Sequence, residues 1–306
     1  MTTTISVVMP AYNAGRWIEE TLESVFGQTR QPHEVIVVDD GSTDDTLELL
    51  RPFGDAITVL SQPGNGGPPA AYNRGFDAAT GDYVAMCPAD DVWEPRKLEW
   101  QLEAVDTKSH IDIAFGGARY FGRTQHVYPR PRRDGLQDGS DFLREMYVRD
   151  LVAAPTTLVR RTLHQGLGCF DETLPSEDYE FWLRALVAGA RFYFDPRLLV
   201  HLRQHGANVS SRAAEIWEMN HEVRVRFAPA VGDERLTRRL RARDQRMIAR
   251  ARFGLGQPER ARDAYGVSLA LRPSVEAAVG RAILAVPPLV RTALWINSHR
   301  PRHTNR

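Results

Sequence analysis

The chain has 306 residues, 42% hydrophobic and 25% charged, with 39 basic and 39 acidic side chains. That composition leaves room for one large globular domain or two smaller ones, and the balanced charge singles out no class of partner. Cys87 and Cys169 are too few for a disulfide framework, which fits a reducing compartment, and both are expected to be inert core residues. No uninterrupted apolar window reaches about 18 residues, so no membrane span is expected. The N-terminus enters a strand pattern at once, without the basic and apolar regions of a leader, so a cytoplasmic location is expected.

Charge is unevenly spread. Residues 235–306 hold 16 Arg and no Lys against 4 acids, so the remainder is net acidic and the tail net basic. That asymmetry points to two modules.

In chain order, residues 5–11 form a β-branched run without alternation, the pattern of a strand buried on both faces. It breaks at Tyr12-Asn13-Ala14-Gly15, and a helical pattern follows through Trp17, Ile18, Leu22 and Val25. Residues 34–40 form a second buried run ending in Asp39-Asp40-Gly41, with Ser42 or Thr43 placed to cap a helix through Leu47 and Leu50. Strand, loop and helix repeated in this way predict a parallel βαβ start. A third strand over 57–60 precedes the loop Pro63-Gly64-Asn65-Gly66-Gly67 and a helix over 70–79. A short apolar run, Val84 to Cys87, then ends in Pro88-Ala89-Asp90-Asp91. Taken alone, these two acids read equally as caps of the helix beginning near Arg96 or as a metal site. Four strand ends now carry polar loops to one rim, where open α/β sheets bind ligands, and that favours the metal.

Further strands are expected at 111–115, 155–159, 191–195 and 198–202, with a mobile loop over 128–139 and a helix opening at Ser176-Glu177-Asp178. From about Ala213 everything is helical. Gly254 to Pro258 separates stretches 236–253 and 259–271, which resemble one tetratricopeptide-like hairpin as much as plain helix packing. The apolar but interrupted stretch 277–295 reads as a basic amphipathic surface helix or as a cover for the first module.

Several ordered motifs carry a family resemblance. They are Val7-Val8-Met9-Pro10-Ala11-Tyr12-Asn13, Val38-Asp39-Asp40-Gly41-Ser42, Asn65-Gly66-Gly67, Asn73-Arg74-Gly75, Ala89-Asp90-Asp91, Glu177-Asp178-Tyr179 and His205. Together they resemble the family 2 inverting glycosyltransferases. The resemblance covers about residues 4–212 and implies a GT-A fold: a Rossmann-like, mostly parallel α/β sheet flanked by helices, over residues 1–212. A C-terminal all-helical extension, 213–306, lies outside it.

The resemblance implies transfer of a sugar from a nucleoside-diphosphate donor to an acceptor hydroxyl, carbohydrate or lipid-linked, as in cell-envelope polysaccharide assembly. It places nucleotide contacts at Pro10, Tyr12, Asn13, Asp39, Asn65, Gly66, Asn73, Arg74 and Asp90. Asp39 would accept the N3–H of uracil or thymine, which favours UDP- or dTDP-sugars. Asp91 and His205 would hold Mg²⁺ or Mn²⁺, hard cations suited to oxygen ligands and a diphosphate. Asp178, beside Glu177, would be the general base of a single inverting displacement. Where the family often has Asp-x-Asp-Asp, this chain has Pro88 in the first position, which removes a side chain near the ribose or metal. Trp93, Tyr179 and Trp182 read as packing residues more than as sugar-stacking ones. The departure at Pro88 keeps a catalytically weakened nucleotide-sugar binder or scaffold as the rival reading. A nucleotidyltransferase is the weaker rival, because Asn13-Ala14-Gly15-Arg16 is a poor phosphate loop. The basic tail is expected to meet acceptor, protein partner or the inner face of the membrane. Its arginines lack interleaved aromatics, so no nucleic acid is expected.

Overall fold

The first buried run forms β1 (Ile5–Ala11), and its missing alternation has a cause: successive side chains, which point to opposite faces of the sheet, are nearly all buried, and the strand is interior to the sheet. α1 (Ile18–Phe26) buries Ile18, Leu22 and Val25, one stripe of a helical period, in the core that also takes Val7 and Met9. β2 (Glu34–Asp39) pairs with β1 in parallel, completing the expected βαβ unit. α2 (Thr46–Leu50) and a 3₁₀ turn over Arg51–Ala56 lead to β3 (Thr58–Ser61), which pairs with β2 at the sheet's edge and is largely exposed. α3 (Gly67–Ala78) then carries the chain back to β4 (Tyr83–Met86), which pairs with β1 on the side away from β2.

The strand order therefore reverses at β1, and a crevice opens at the carboxyl ends of β1 and β4. Pairing between them ends at Val8 and Met86, with a last bond from the Cys87 N–H to the Val8 carbonyl at 3.0 Å. Pro10 falls past that point, where its missing N–H leaves no bond to β4 unmade. α3 lies low on the sheet because Gly75 has no side chain. A Cβ there would stand 2.2 Å from Val8 Cγ1.

The second half continues through β5 (Val92–Trp93), α4 (Lys97–Thr107), β6 (Ile113–Gly122), β7 (Gly135–Leu136), α5 (Gly139–Val148), β8 (Leu158–Arg160), α6 (Arg161–Leu167), α7 (Asp178–Val187) and β9 (Phe192–Gln204). Among the described residues all nine strands join one sheet, in the order β3-β2-β1-β4-β8-β6-β9-β5, with β7 on β9. β8 runs antiparallel to both β4 and β6.

Several expectations change in detail. The strand expected at 155–159 starts later, because Ala154–Thr156, with Pro155 inside, form a 3₁₀ turn. The two strands expected at 191–195 and 198–202 are one, and its register against β6 slips where Gly116 and Gly117 face Asp195 and Leu198. The loop over 128–139 holds the short β7. Cys87 is buried but Cys169 is exposed, so only the first is a core residue.

This computed structural model describes residues 3–108, 110–123, 125–206 and 212–286. It divides into two compact units with the boundary between His205 and Gly206. The second unit contains α8 (Ala213–Val231), α9 (Glu234–Gly254), α10 (Pro258–Leu271) and α11 (Val275–Leu284). The stretches expected at 236–253 and 259–271 are α9 and α10. Ile248 and Ala249 of α9, Ala261, Ala264 and Tyr265 of α10, and Ala277 of α11 form one core. Of the surface helix expected over 277–295, residues 287–295 lie outside the described residues. Among the described residues no helix is long and apolar enough to cross a membrane.

Candidate active site

Two adjacent carboxylates at the end of β2 have separate tasks. Asp40 is buried and fully used: it accepts from Gln62 Nε2 and from the backbone N–H groups of Gly66 and Gly67, each at 2.8 Å. Burial raises its pKa even so. Asp39 is equally buried, yet its side chain accepts only a long 3.3 Å bond from the Ser42 N–H, on Oδ1. Its second oxygen has no partner among the described residues and is available to a ligand N–H.

Asn13 occupies the left-handed backbone region at φ 49°, a conformation asparagine tolerates better than most residues. Its Oδ1 accepts from the Thr43 and Asp44 N–H groups, and its own N–H donates to Ser42 Oγ at 3.0 Å. Ser42 and Thr43 therefore tie the β1 and β2 loops together instead of capping α2. Asp44 makes the contact that holds the start of that helix, accepting from the Thr46 N–H at 3.0 Å. Tyr12 stands beside this tie with its ring half exposed.

Four residues expected at the nucleotide differ in how far the protein already occupies them. Asn73 is buried and spent: its Nδ2 donates to the Phe170 carbonyl and Glu172 Oε1, and its Oδ1 accepts the Phe170 N–H. It is a clamp between α3 and the segment before α7, with both Nδ2 protons given to protein acceptors. Gly66 likewise gives its N–H to Asp40, so the glycine-rich loop is held by protein, and its N–H is not offered to phosphate. Asn65 Oδ1 accepts the Gly67 N–H at 3.1 Å, a bond within the same loop. Arg74 is exposed and makes no hydrogen bond or ion pair among the described residues.

Past β4, Asp90 and Asp91 are held by β9. The Arg203 N–H donates to Asp91 Oδ1 at 2.8 Å, and Arg203 Nε donates to the Asp90 carbonyl at 2.9 Å. Burial, then the charge of Asp90, pushes the Asp91 carboxyl well above the usual carboxylate range, against the pull of Arg203. His205 Nε2 lies 2.8 Å from Asp90 Oδ2, with its ring edge on Trp17 at 4.7 Å between centroids.

These residues fit a hard divalent cation of the kind that takes one or two carboxylates and completes its shell with diphosphate and water. A cation beside Asp91 Oδ2 would relieve a buried carboxyl that otherwise resists ionising. Among the described residues no three His, Cys, Asp or Glu side chains gather into a closed metal cage. His205 meets Asp90 through Nε2, so ligation through that nitrogen would have to displace the carboxylate.

Across the crevice, α7 begins with the second acid pair. Glu177 is buried, and burial followed by the Asp178 charge pushes its pKa up to about 8. Asp178 is half-buried and its pKa is raised by burial. Its Oδ1 accepts from Ser176 Oγ at 2.9 Å and from the Tyr179 N–H at 2.8 Å. Its Oδ2 has no partner among the described residues. The Tyr120 hydroxyl, pushed up to about 12 mainly by burial, is also raised by the charges of Asp150, Asp91 and Asp178.

Trp93, Tyr179 and Trp182 are all buried, so packing is their role. Sequence reasoning did not single out Arg203 and Asp150. Arg203 had a signal, since it alternates with His201 along β9 and His205 follows two residues on, just past the strand's end. Asp150, whose Oδ2 takes the Tyr128 hydroxyl at 3.4 Å, lies in a loop with no pattern around it.

A protein-family model described as "Glycosyl transferase family 2" matches residues 6–166. The chain belongs to that family. It is 40% identical over 234 residues to the putative teichuronic acid biosynthesis glycosyltransferase TuaG of Bacillus subtilis, covering 74% of this chain and 91% of that protein. It is 30% identical over 213 residues to an uncharacterized glycosyltransferase of Rickettsia prowazekii, covering 68% of this chain and 66% of that one. A relative from Rickettsia bellii is 29% identical over 214 residues, covering 68% of this chain but only 31% of its own length. This chain thus spans from under a third to about two thirds of the length of these rickettsial relatives. Among solved structures, residues 1–349 of S. aureus TarS in complex with UDP-GlcNAc superpose with a TM-score of 0.65 at 22% identity, covering 96% of this chain and 89% of that one. The mannosyltransferase PcManGT from Pyrobaculum calidifontis, in complex with GDP-Man and Mn²⁺, gives 0.56 at 20% identity, covering 97% and 85%. The fold is of the GT-A type.

Proposed function

We propose that this protein transfers a sugar from a UDP- or dTDP-linked donor to an acceptor hydroxyl, with inversion, in a divalent-metal-dependent single displacement. The observation that carries this reading is two acid pairs, Asp90-Asp91 just past β4 and Glu177-Asp178 at the start of α7, each with one buried carboxyl whose pKa is raised. The relatives and neighbours named above support a nucleotide-sugar donor; the residues below support the rest.

Asp39 offers its free oxygen to the N3–H of a uracil or thymine ring, and Tyr12 offers an exposed ring beside it. Asp91, with Asp90 beside it, would hold Mg²⁺ or Mn²⁺, which neutralises the departing diphosphate. Glu177 keeps its proton at neutral pH, leaving Asp178 as the anion of the pair. The unpartnered Oδ2 of Asp178 then takes the acceptor proton as the hydroxyl attacks, a contribution of about 10²–10⁴-fold. The envelope-polysaccharide setting of TuaG is the setting we assign to the acceptor. We assign acceptor, partner or membrane contacts to the arginine-rich C-terminal unit.

Titration calorimetry with UDP, dTDP and GDP, with and without Mn²⁺, tests the donor. Stronger binding of the first two, dependent on metal, is expected. Equal or absent binding of all three would sink the reading of Asp39.

A further inference from the structure

α11 is apolar on two faces. Its inner face sets Ala277 and Leu284 into the core of the helical unit. Gly280 lies so close to Tyr265 that a Cβ there would stand 2.6 Å from the ring. That contact fixes the rotation of the helix, and with it what the helix turns outward. Val275, Val279 and Ile283, spaced by four residues, form one stripe that is 81%, 51% and 37% exposed. Ala278 and Ala282 are exposed beside it, and Val286 is exposed just past the helix end. Single exposed apolar side chains are ordinary, but a contiguous stripe of them marks a contact surface.

The charges around the stripe have one sign. Glu276, the only acid of α11, is taken by Arg246 and Arg250, while Arg281 is exposed. Residues 277–306 contain five arginines and no acidic residue. A second copy of the chain fits poorly, because it would bring the same positive charge against the stripe. The stripe is also too small for it. A ten-residue helix is about 15 Å long and about 10 Å wide, far below the roughly 800 Å² that each partner buries in a stable complex. An anionic lipid surface meets both conditions, since it takes a short apolar helix face in its interface and attracts the arginines around it. We propose that the outer face of α11 docks this protein on an anionic lipid surface. Of the contacts assigned above to the C-terminal unit, this selects the membrane, and it depends on neither the donor nor the base.

Sedimentation of the full chain with vesicles tests it, using phosphatidylcholine alone and phosphatidylcholine mixed with phosphatidylglycerol. Wild type should pellet with the mixed vesicles, far less with the neutral ones, and less again when salt is added. Val279→Ser/Ile283→Ser removes apolar surface without changing charge. Its partition onto the mixed vesicles should fall about tenfold or more, since binding follows buried apolar area as well as charge. Its melting temperature should stay that of wild type, because both side chains are exposed. Val59→Ser, at an exposed valine of β3, should bind as wild type does. If wild type stays in solution with the mixed vesicles, or if the double variant pellets as wild type does, the lipid contact of α11 is overturned. Light scattering that showed a wild-type dimer and a monomeric double variant would give the face to a second copy and overturn it too. Pelleting needs no nucleotide, so this inference and the glycosyl-transfer reading fail separately.

Discussion

At the scale of single residues, this site separates acids that look alike in sequence by what already occupies their oxygens. Asp40 is saturated by Gln62, Gly66 and Gly67, whereas Asp39 next to it keeps an oxygen open. Glu177 is buried with its pKa pushed up to about 8, whereas Asp178 is half-buried with no partner on Oδ2 among the described residues. Asp178→Asn preserves the bond from Ser176 and removes the base, so transfer to an identified acceptor should drop about 10²–10⁴-fold with donor affinity intact. A variant that turned over at the wild-type rate would displace Asp178 from that role. Asn73 makes the opposite kind of prediction. Asn73→Ala leaves the buried Phe170 N–H without its acceptor, so unfolding free energy should fall by about 1–3 kcal/mol while UDP affinity holds. A large loss of UDP affinity at unchanged stability would return Asn73 to the nucleotide. The motifs made the positions legible, but not this division of labour, because hydrogen-bond saturation depends on which loops meet.

At the scale of elements, the strands of the first half were readable because burial on both faces forces uninterrupted β-branched runs, as in β1 and β2. β9 was less readable, since Pro196 interrupts its pattern while the strand itself continues through a register slip. α4 hid something else. Lys97 and Gln101, one turn apart, would be assigned to a wet face, yet both are buried along with Leu98 and Leu102. Lys97 Nζ donates to Gln101 Oε1 at 2.8 Å and lies 4.0 Å from the centre of the Trp93 ring, and Gln101 Nε2 donates to the Thr156 carbonyl at 2.7 Å. Burial lowers the Lys97 pKa from 10.5 to about 7. Between those two values the unfolded chain binds the proton and the folded one does not, so stability rises with pH across that window. Below about pH 7 both states are charged, and above 10.5 both are neutral, so the contribution is flat on either side. Denaturant titrations from pH 7 to 10 should show Lys97→Met losing ground to wild type as pH rises, by on the order of 1 kcal/mol per unit. A constant difference across that range would mean that Lys97 stays charged inside the fold.

At the scale of the whole molecule, the charge asymmetry of the sequence gains a structural meaning. The boundary between His205 and Gly206 separates a unit with an acid-lined crevice from a helical unit whose α9 is rich in arginine. Such a helix has to manage its own repulsion, and the described residues show how. Arg252 pairs with Glu218, Arg250 and Arg246 with Glu276, and Arg224 and Arg243 with Asp244. Most of these pairs are partly wet and each contributes little. The pair of Arg224 and Asp244 differs, because its side chains are 3% and 0% exposed and Arg224 Nη1 meets Asp244 Oδ2 at 2.8 Å. Removing one member of such a pair strands the other's charge in the interior. Asp244→Ala should therefore destabilise the helical unit by about 3–5 kcal/mol, and replacing both residues by apolar ones of similar volume should recover much of that loss. Hydrogen exchange resolved by segment reads both outcomes: faster exchange in α8 and α9 for the single variant, and protection regained in the double one. If the single variant left exchange in α8 and α9 unchanged, the buried pair would be irrelevant to the unit's stability, and its apolar core around Ala249, Ala261 and Tyr265 would be holding the helices without it.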